Sequence, residues 1–591
     1  MFLLAVSASD ARRTDARCGD QHPGGLRVLF GTPVVLDIDD IQIAGRARLS
    51  VPDGQPLTGI RALRDLAERY RRGGVSAVET APGQFSVVIW DRRHDCLVAI
   101  KDAIGLLPLY HRTFASNVYV SDRADLFPST APLDNAFIAA FIASGGISSE
   151  RSIWSDVNVI QGGTSTTWID GLAHARRYWA AEKVPQNLDV DGRRAARLFA
   201  DALRSAVHDA MEPDHATWAD LSGGLDSSSV VCMAALLKSG SAALGGTISY
   251  VDSLGGDETA FVDSVAEKFE LRNVRLRDCA PWDDDGAPPP VTSEPARDYP
   301  FYSRDRKSAE ILRRSGARAL LSGVGPDCYM PFGPHHIGDL FVSGQLRDAA
   351  RQAFRWSYIK RQPIWRVLAR DVLLPFAPVR MQRRVAARRH PAPRWIRRNF
   401  LRNSNFLEHW HRPFVVNGAP GRFGQASISR YLNTLSASLH NWREMDGIEI
   451  RQPFLDRRLV ELCLSLPTTV RTEVARSKPV LRDAMATVLP PKVLRRQCTK
   501  GTGLQPRICS AFCNHRQSLE RLLKQSCLAD MGCVEPGLML REIDEYCAGR
   551  GDVVTTLYAT LALETWLAVR SNRYVRPANA QVTEGETNAE C

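Results

Sequence analysis

No apolar run in this 591-residue chain approaches the ~18 residues that a membrane-crossing helix needs, so no membrane span is expected. No basic residue precedes the short apolar run in the opening "MFLLAVSASD". That argues against a secretory signal and suits a buried first strand. No internal repeat of solenoid type is present. The 13 cysteines are odd in number and scattered, and without a signal peptide they read as reduced thiols in a cytoplasmic protein. Cys509, Cys513 and His515 are the nearest thing to a metal cluster, but no fourth ligand is evident. Acid is missing from one stretch: 379–400, "VRMQRRVAARRHPAPRWIRRNF", has eight arginines and no Asp or Glu, in a chain of net charge +11. It reads either as a solvated Arg-rich helix and loop or as a docking surface for an anionic peptide or protein. It lacks the regular aromatic interleaving of a single-strand platform, and no nucleic-acid motif occurs elsewhere, so nucleic acid is not an expected partner.

What is present is an ordinary globular composition, 44% hydrophobic and 24% charged, at a length that calls for two or more domains. Residues 1–185 read as strand-rich. "LRVLFG", "QFSVVIWD", "CLVAIKD" and "SNVYVSD" are short runs ended by turn residues. "LTGIRALRDLAERYRRGG" is an amphipathic helix expected to stop at its Gly pair. A polar link at 179–192 ends this region. From 193 to 575 helices alternate with strands, as in "ATWADL", "LGGTISYV" and "ARALLSGVG", which implies a parallel sheet with helical crossovers. The part beyond 340 is mostly helical, and the polar tail 576–591 is expected to be disordered. The fold class is therefore α/β: an α+β sandwich followed by a parallel-sheet domain with helical additions.

"LSGGLDSSSV" (221–230) falls at a strand-to-helix junction. Gly223 and Gly224 allow a tight turn and close approach to a ligand. The helix N-terminus that follows favours an anion, and Ser222, Ser227 and Ser228 add hydroxyls. The loop has no Walker lysine. Asp226 would repel bare phosphate but suits a magnesium ion lying between them. A simple helix cap needs one serine, not this cluster.

These residues resemble the Ser-Gly-Gly-x-Asp-Ser loop of the ATP pyrophosphatase superfamily, and further segments narrow the resemblance to the asparagine synthetase family. "LLSGVGPD" (320–327) resembles its Leu-Ser-Gly-x-Gly-x-Asp loop. "TISY" with Asp257–Glu258 resembles its adenine-side strand and acidic pair. "GIEIRQPFLDRRLVELCLSLP" (447–467), "SKPVLRDAM" and "VLRRQCTKG" follow in the family's order. The resemblance implies ATP and magnesium as cofactors. It implies nucleotide contacts from Leu221, Ser222, Gly223, Gly224, Asp226, Ser227, Ser228, Ser249, Ser322 and Gly323. Asp226 and Asp327 become the metal ligands, and Lys500 stands at the position of the catalytic lysine, where an ammonium neutralises charge building in the transition state. Lys478 and Arg496 have a plainer reading as solvated charges near helix ends. Glu258, Glu449 and Arg451 read equally well as structural ion pairs.

"GQFSVVIWDRRHDCLVAIKDAIGLLPLYH" (83–111) and "RRYW" (176–179) resemble the class II glutaminase domain, an Ntn-hydrolase-like sandwich. That domain uses an N-terminal cysteine whose own amine is the base. Here residue 2 is Phe, Cys18 lies in a polar stretch, and the Asn-Gly-Glu glutamine-binding segment is missing. The resemblance then implies a fold kept without ammonia production, so the amine comes from the substrate or from solution. Relatives of this kind close rings, holding both reacting ends in one molecule. Lasso-peptide cyclases join an Asp or Glu side chain of a ribosomal precursor peptide to its N-terminal amine, alongside a leader peptidase. β-Lactam synthetases close a small molecule. Cys328, where synthetases have Glu, and Val324, where they have a catalytic acid or Tyr, count against the small-molecule readings. A non-catalytic binding partner that keeps the fold is the third reading.

Overall fold

The computed structural model describes the chain except for residues 8–25, 53, 115–116, 128–131, 147–150, 187–188, 238–242, 252–257, 278, 284, 331–335, 405–421, 440–443, 446, 474–475, 497–503, 551–553 and 575–591. Cys18, Asp257, Lys500 and the tail 576–591 lie outside the described residues.

The strand Gly83–Asp91 shows how the first half is layered. Alternate side chains of a strand point to opposite faces. Phe85, Val87 and Ile89 pack with Ala62, Leu63 and Leu66 of the helix Gly59–Glu79. Val88 and Trp90 pack instead with Phe2, Leu4, Val6, Val118 and Val120 of a second sheet. Both faces are covered, so the run is apolar throughout. Two antiparallel sheets result. One has five strands in the order Asn158–Val159, Tyr110–Phe114, Asn117–Ser121, Phe2–Ser7, Arg27–Gly31. The other runs Leu172–Arg177, Thr164–Ile169, Cys96–Lys101, Gly83–Asp91, Ile41–Leu49, Val35–Ile38, with Leu57–Thr58 paired to Ile41–Leu49. This is the expected sandwich. The first helix breaks at its Gly pair, as expected. Gly73 and Gly74 leave helical geometry, with Gly74 at φ 63°, and the chain then resumes a short helix to Glu79.

In the second half the sheet has six strands, in the order Asn273–Arg277, Leu244–Val251, Ala216–Asp220, Ala317–Leu321, Ile448–Arg451, Glu444–Met445. All neighbours are parallel except the last pair. Trp218 packs on one face with Ile248, Leu312, Leu320 and Ile450, beneath the helix Tyr302–Arg314. Ala219 and Leu221 pack on the other with Phe199 and Val230, from the helices Gly192–Ala210 and Leu225–Leu236. Chain order fixes the functional edge. From Ala216–Asp220 the chain steps outward through Leu244–Val251 to Asn273–Arg277. It then returns to the opposite side of Ala216–Asp220 with Ala317–Leu321. The two loops that leave this switch point are 221–225 and 322–325, and ligands of open parallel sheets bind there.

The halves are bonded across their junction. Trp179 Nε1 donates to Glu461 Oε1 at 2.7 Å, and Arg48 donates to the carbonyls of Asp209 and Met211 at 2.5 and 2.6 Å. The helix Asn135–Ser144, from the first half, shares a core with the helix Val554–Arg570 near the end of the described chain.

Candidate active site

The loop after Ala216–Asp220 is shaped by glycine. Gly223 has φ +70°, and a Cβ there would lie 2.8 Å from Cβ of Phe261. Gly224 begins the helix Leu225–Leu236 with extended φ/ψ, and no side chain caps the first turn. The Ser227 hydroxyl turns back into the loop, 2.9 Å from Ser222 Oγ, and accepts from Ser222 N at 3.2 Å. Ser222 is exposed, and Leu221 is buried as a packing residue. Ser228 is fully buried and its Oγ has no hydrogen-bond partner. The first-turn N–H groups are thus open to an acceptor, with hydroxyls beside them, as an anion at a helix start requires.

The second loop presses onto the first. A Cβ on Gly323 would lie 2.5 Å from Ser227 N and 2.6 Å from Ser227 Cα, so only a bare Cα fits. Ser322 is anchored to the next strand by its N–H, which donates to the Arg451 carbonyl at 2.8 Å. Gly325, at φ +139°, turns the chain into the single-turn helix Pro326–Tyr329, which carries Asp327.

Asp226 and Asp327 thereby meet at one cation, the ammonium of Lys478. It lies 2.6 Å from Asp327 Oδ1 and bonds Asp226 Oδ2. Lys478, in left-handed conformation (φ 52°), starts the helix Pro479–Ala484 and is itself largely buried. The Asp327 side chain is 86% exposed, so one side of the ammonium faces solvent. Asp226 Oδ1 is buried with no partner. Burial pushes the Asp226 carboxyl up to about 6 against the opposing pull of Lys478, with the Asp327 charge adding to the rise. The Lys478 ammonium is held above its ordinary range because the two carboxylates outweigh its desolvation. Two carboxylates that already bracket one cation, with an oxygen to spare, are a donor set that suits magnesium shared with phosphate oxygens. Sequence reasoning ranked Lys478 among solvated charges. Its signal was the segment "SKPVLRD", directly before a helix start.

The other expected residues are placed as follows. Ser249 is buried in Leu244–Val251, and its hydroxyl pairs with the Asn273 side chain at 3.1 Å. Glu258 pairs with Arg496, which also donates to the Gly223 carbonyl at 3.1 Å and stacks on Phe261. Arg496 therefore braces the loop. Arg451 joins Glu449 at 2.7 Å, Glu212, and the Ala210 carbonyl at 2.9 Å, a buried network that ties the sheet to the helix Gly192–Ala210. Cys328 is half-buried, and burial pushes its thiol up to about 12. Cys509, Cys513 and His515 go to different partners: Tyr546, Cys547 and Asp283. Unforeseen was Asp220, at the end of the central strand. Its Oδ1 is buried without a partner, and desolvation raises it to about 7 against nearby Arg304.

In the first half, the first strand opens on a buried aromatic ring. Phe2 is 3% exposed in the core between the sheets. Its N–H donates to Asp122 Oδ1 at 2.7 Å, and its carbonyl accepts from the Ser121 hydroxyl at 2.6 Å.

The sequence profile of the asparagine synthase family matches residues 198–568, which cover both loops and Lys478. The chain belongs to the asparagine synthase family. Residues 65–179 match the glutamine amidotransferase domain. The asparagine synthetase [glutamine-hydrolyzing] 1 of Bacillus subtilis (strain 168) is 21% identical over 551 residues, 87% of this chain and 81% of that protein. An amidase of Penicillium rubens, chyE, is 24% identical over 481 residues, 70% of this chain and 69% of its own length. Among solved structures, the NMN synthetase from Francisella tularensis aligns over 66% of this chain and all of its own, at 8% identity and a TM-score of 0.21. Asparagine synthase family membership makes ATP-dependent amide-bond formation the coarse function. Among the described residues no helix is long and apolar enough to cross a membrane.

Two outcomes are expected. Gly323→Ala should lower ATP–pyrophosphate exchange by about a hundredfold and also lower the melting temperature, because its Cβ meets the Ser227 backbone and forces the loops apart. Raising the pH through about 6 ionises Asp226, and lowering it restores the proton. A magnesium–ATP analogue bound at pH 6 should therefore displace a proton, read calorimetrically in buffers of different ionisation enthalpy, and Asp226→Asn should release less.

Proposed function

We propose that this chain is an ATP- and magnesium-dependent lasso-peptide cyclase. One combination carries the reading: a complete pair of nucleotide loops joined to a glutaminase-like half whose N-terminal position is a buried Phe2. An ammonia-using ligase has no ammonia source in such a chain, so the substrate has to bring its own amine. A side-chain carboxylate of a ribosomal precursor peptide attacks the α-phosphorus of ATP and expels pyrophosphate. The peptide's N-terminal amine then attacks the acyl carbon, AMP leaves, and the amine's proton is lost. Holding amine and acyl group in one molecule supplies a high effective concentration.

The residues divide this work. The uncapped turn at Gly224–Ser228 and the hydroxyls of Ser222 and Ser227 receive the phosphates. Gly323 and Ser322 hold the second wall, and Leu221 and Ser249 support the strands on the nucleotide side. Asp226 and Asp327 would hold magnesium, which when bound screens phosphate charge. Lys478, between Asp226 and Asp327, would offer its ammonium to the pyrophosphate, with Lys500 as the second cation. A leader peptidase of the same pathway supplies the free amine, in the cytoplasm.

Incubation with ATP, magnesium, precursor peptide and its leader peptidase should yield a peptide lighter by one water, with AMP formed in step. Unchanged peptide mass across several neighbouring precursors would refute the cyclase. Exchange driven by a β-amino acid and not by peptide would assign a small-molecule ligase of β-lactam synthetase type. Full biological output from Asp226→Ala would point to a non-catalytic partner.

A further inference from the structure

The positive charge of this protein is not spread over it. Residues 341–400 carry fifteen Lys and Arg against two Asp, a net of +13. The rest of the chain, with 61 basic and 63 acidic residues, is nearly neutral. The same segment concentrates exposed apolar side chains. Of 25 large hydrophobic residues exposed among the described residues, 12 lie in 341–381. Scattered exposed hydrophobics are normal, but a concentration of this kind marks an interaction surface.

The local structure explains why they face outward. The helix Leu346–Lys360 buries Ala349, Ala353 and Trp356 against Ile337, Leu340, Val367 and Val372, a small core of its own. At 3.6 residues per turn the opposite stripe is Arg347, Arg351, Phe354 and Tyr358. Phe354 is 66% and Tyr358 81% exposed. In the helical run that follows, Trp365 is 62% exposed with the Arg366 guanidinium 5.2 Å over its ring, and Leu373 is 60% exposed. The Arg-rich helix Val379–Arg389 comes next. The helix His336–Val342 follows the Asp327 turn in sequence, and Asp339 accepts from the N–H groups of Phe423 and Gly424 at 2.8 and 2.9 Å.

We infer that this face is a peripheral docking surface for an anionic lipid bilayer. Protein interfaces also place aromatic residues beside Arg, so charge decides the occupant: 341–400 carries a net +13, with only two Asp. Here Phe354, Tyr358 and Trp365 each have an arginine within one turn in sequence. A bilayer interface accepts that mixture. Trp, Tyr and Phe sit at the headgroup level, while arginines keep their heads hydrated and meet lipid phosphates. The charge excess of 341–400 is complementary to an anionic leaflet, where each basic residue strengthens attraction about fivefold. The inference goes beyond the cyclase reading and does not depend on it, since adenylation is measured in solution.

The test is sedimentation of the full chain with vesicles of phosphatidylcholine, with and without phosphatidylglycerol. Binding to the anionic vesicles, weakened by salt, is expected. The triple change Arg347→Glu, Arg351→Glu, Arg355→Glu and the double change Phe354→Ala, Tyr358→Ala should each reduce it by about tenfold or more, with melting temperature and ATP–pyrophosphate exchange unchanged. No binding to anionic vesicles would overturn the inference, as would binding that survives both changes. Retention on polyglutamate without vesicle binding would overturn it in favour of an acidic protein or peptide partner.

Discussion

The approach of Gly323 to the backbone of Ser227 is the contact on which the rest of the site depends. It lets two loops from adjacent parallel strands lie against each other at the point where strand order reverses. With the loops that close, Asp226 on one and Asp327 on the other reach a single cation. A side chain at 323 would force the loops apart and leave two separate carboxylates, one buried and one in water. Asp226 tolerates burial because Lys478 is beside it. Its Oδ1 is buried without a hydrogen-bond partner, and burial raises its proton affinity against the pull of Lys478.

The glutaminase-like half is structural in this account. Its two sheets are sealed by Phe2 where a nucleophile would need solvent and a free amine. Yet it is bonded firmly to the ligase half. Arg48 reaches the end of the helix Gly192–Ala210 beside the Arg451–Glu212–Glu449 network, and burial next to Arg451 lowers its guanidinium to about 10. Arg451 in turn offers the carbonyl that anchors Ser322. A continuous chain of hydrogen bonds thus runs from the first half to the loop that carries Ser322.

Much of this was legible in the sequence because backbone geometry imposes residue types. A tight turn into a helix asks for Gly223–Gly224, and an edge pressed on another backbone asks for Gly323. The parallel strands announced themselves as apolar runs between helices. Less was legible where tertiary contact decides. Lys478 looks like any basic residue near a helix start, and only packing shows it between two aspartates. Asp220 has no signal of its own within the strand "ATWADL"; only packing shows its buried, unpartnered Oδ1 at the strand's end. Glu449 and Arg451 looked equally fit for catalysis or pairing until Glu212, distant in sequence, joined them.

The account turns on Asp226 and Asp327 sharing one divalent cation with ATP. Paramagnetic resonance of Mn2+ titrated into the full chain with a non-hydrolysable ATP analogue tests this directly. The account predicts nucleotide-dependent Mn2+ binding that Asp226→Asn and Asp327→Asn each weaken by about tenfold or more. Binding left unchanged by both substitutions would contradict it.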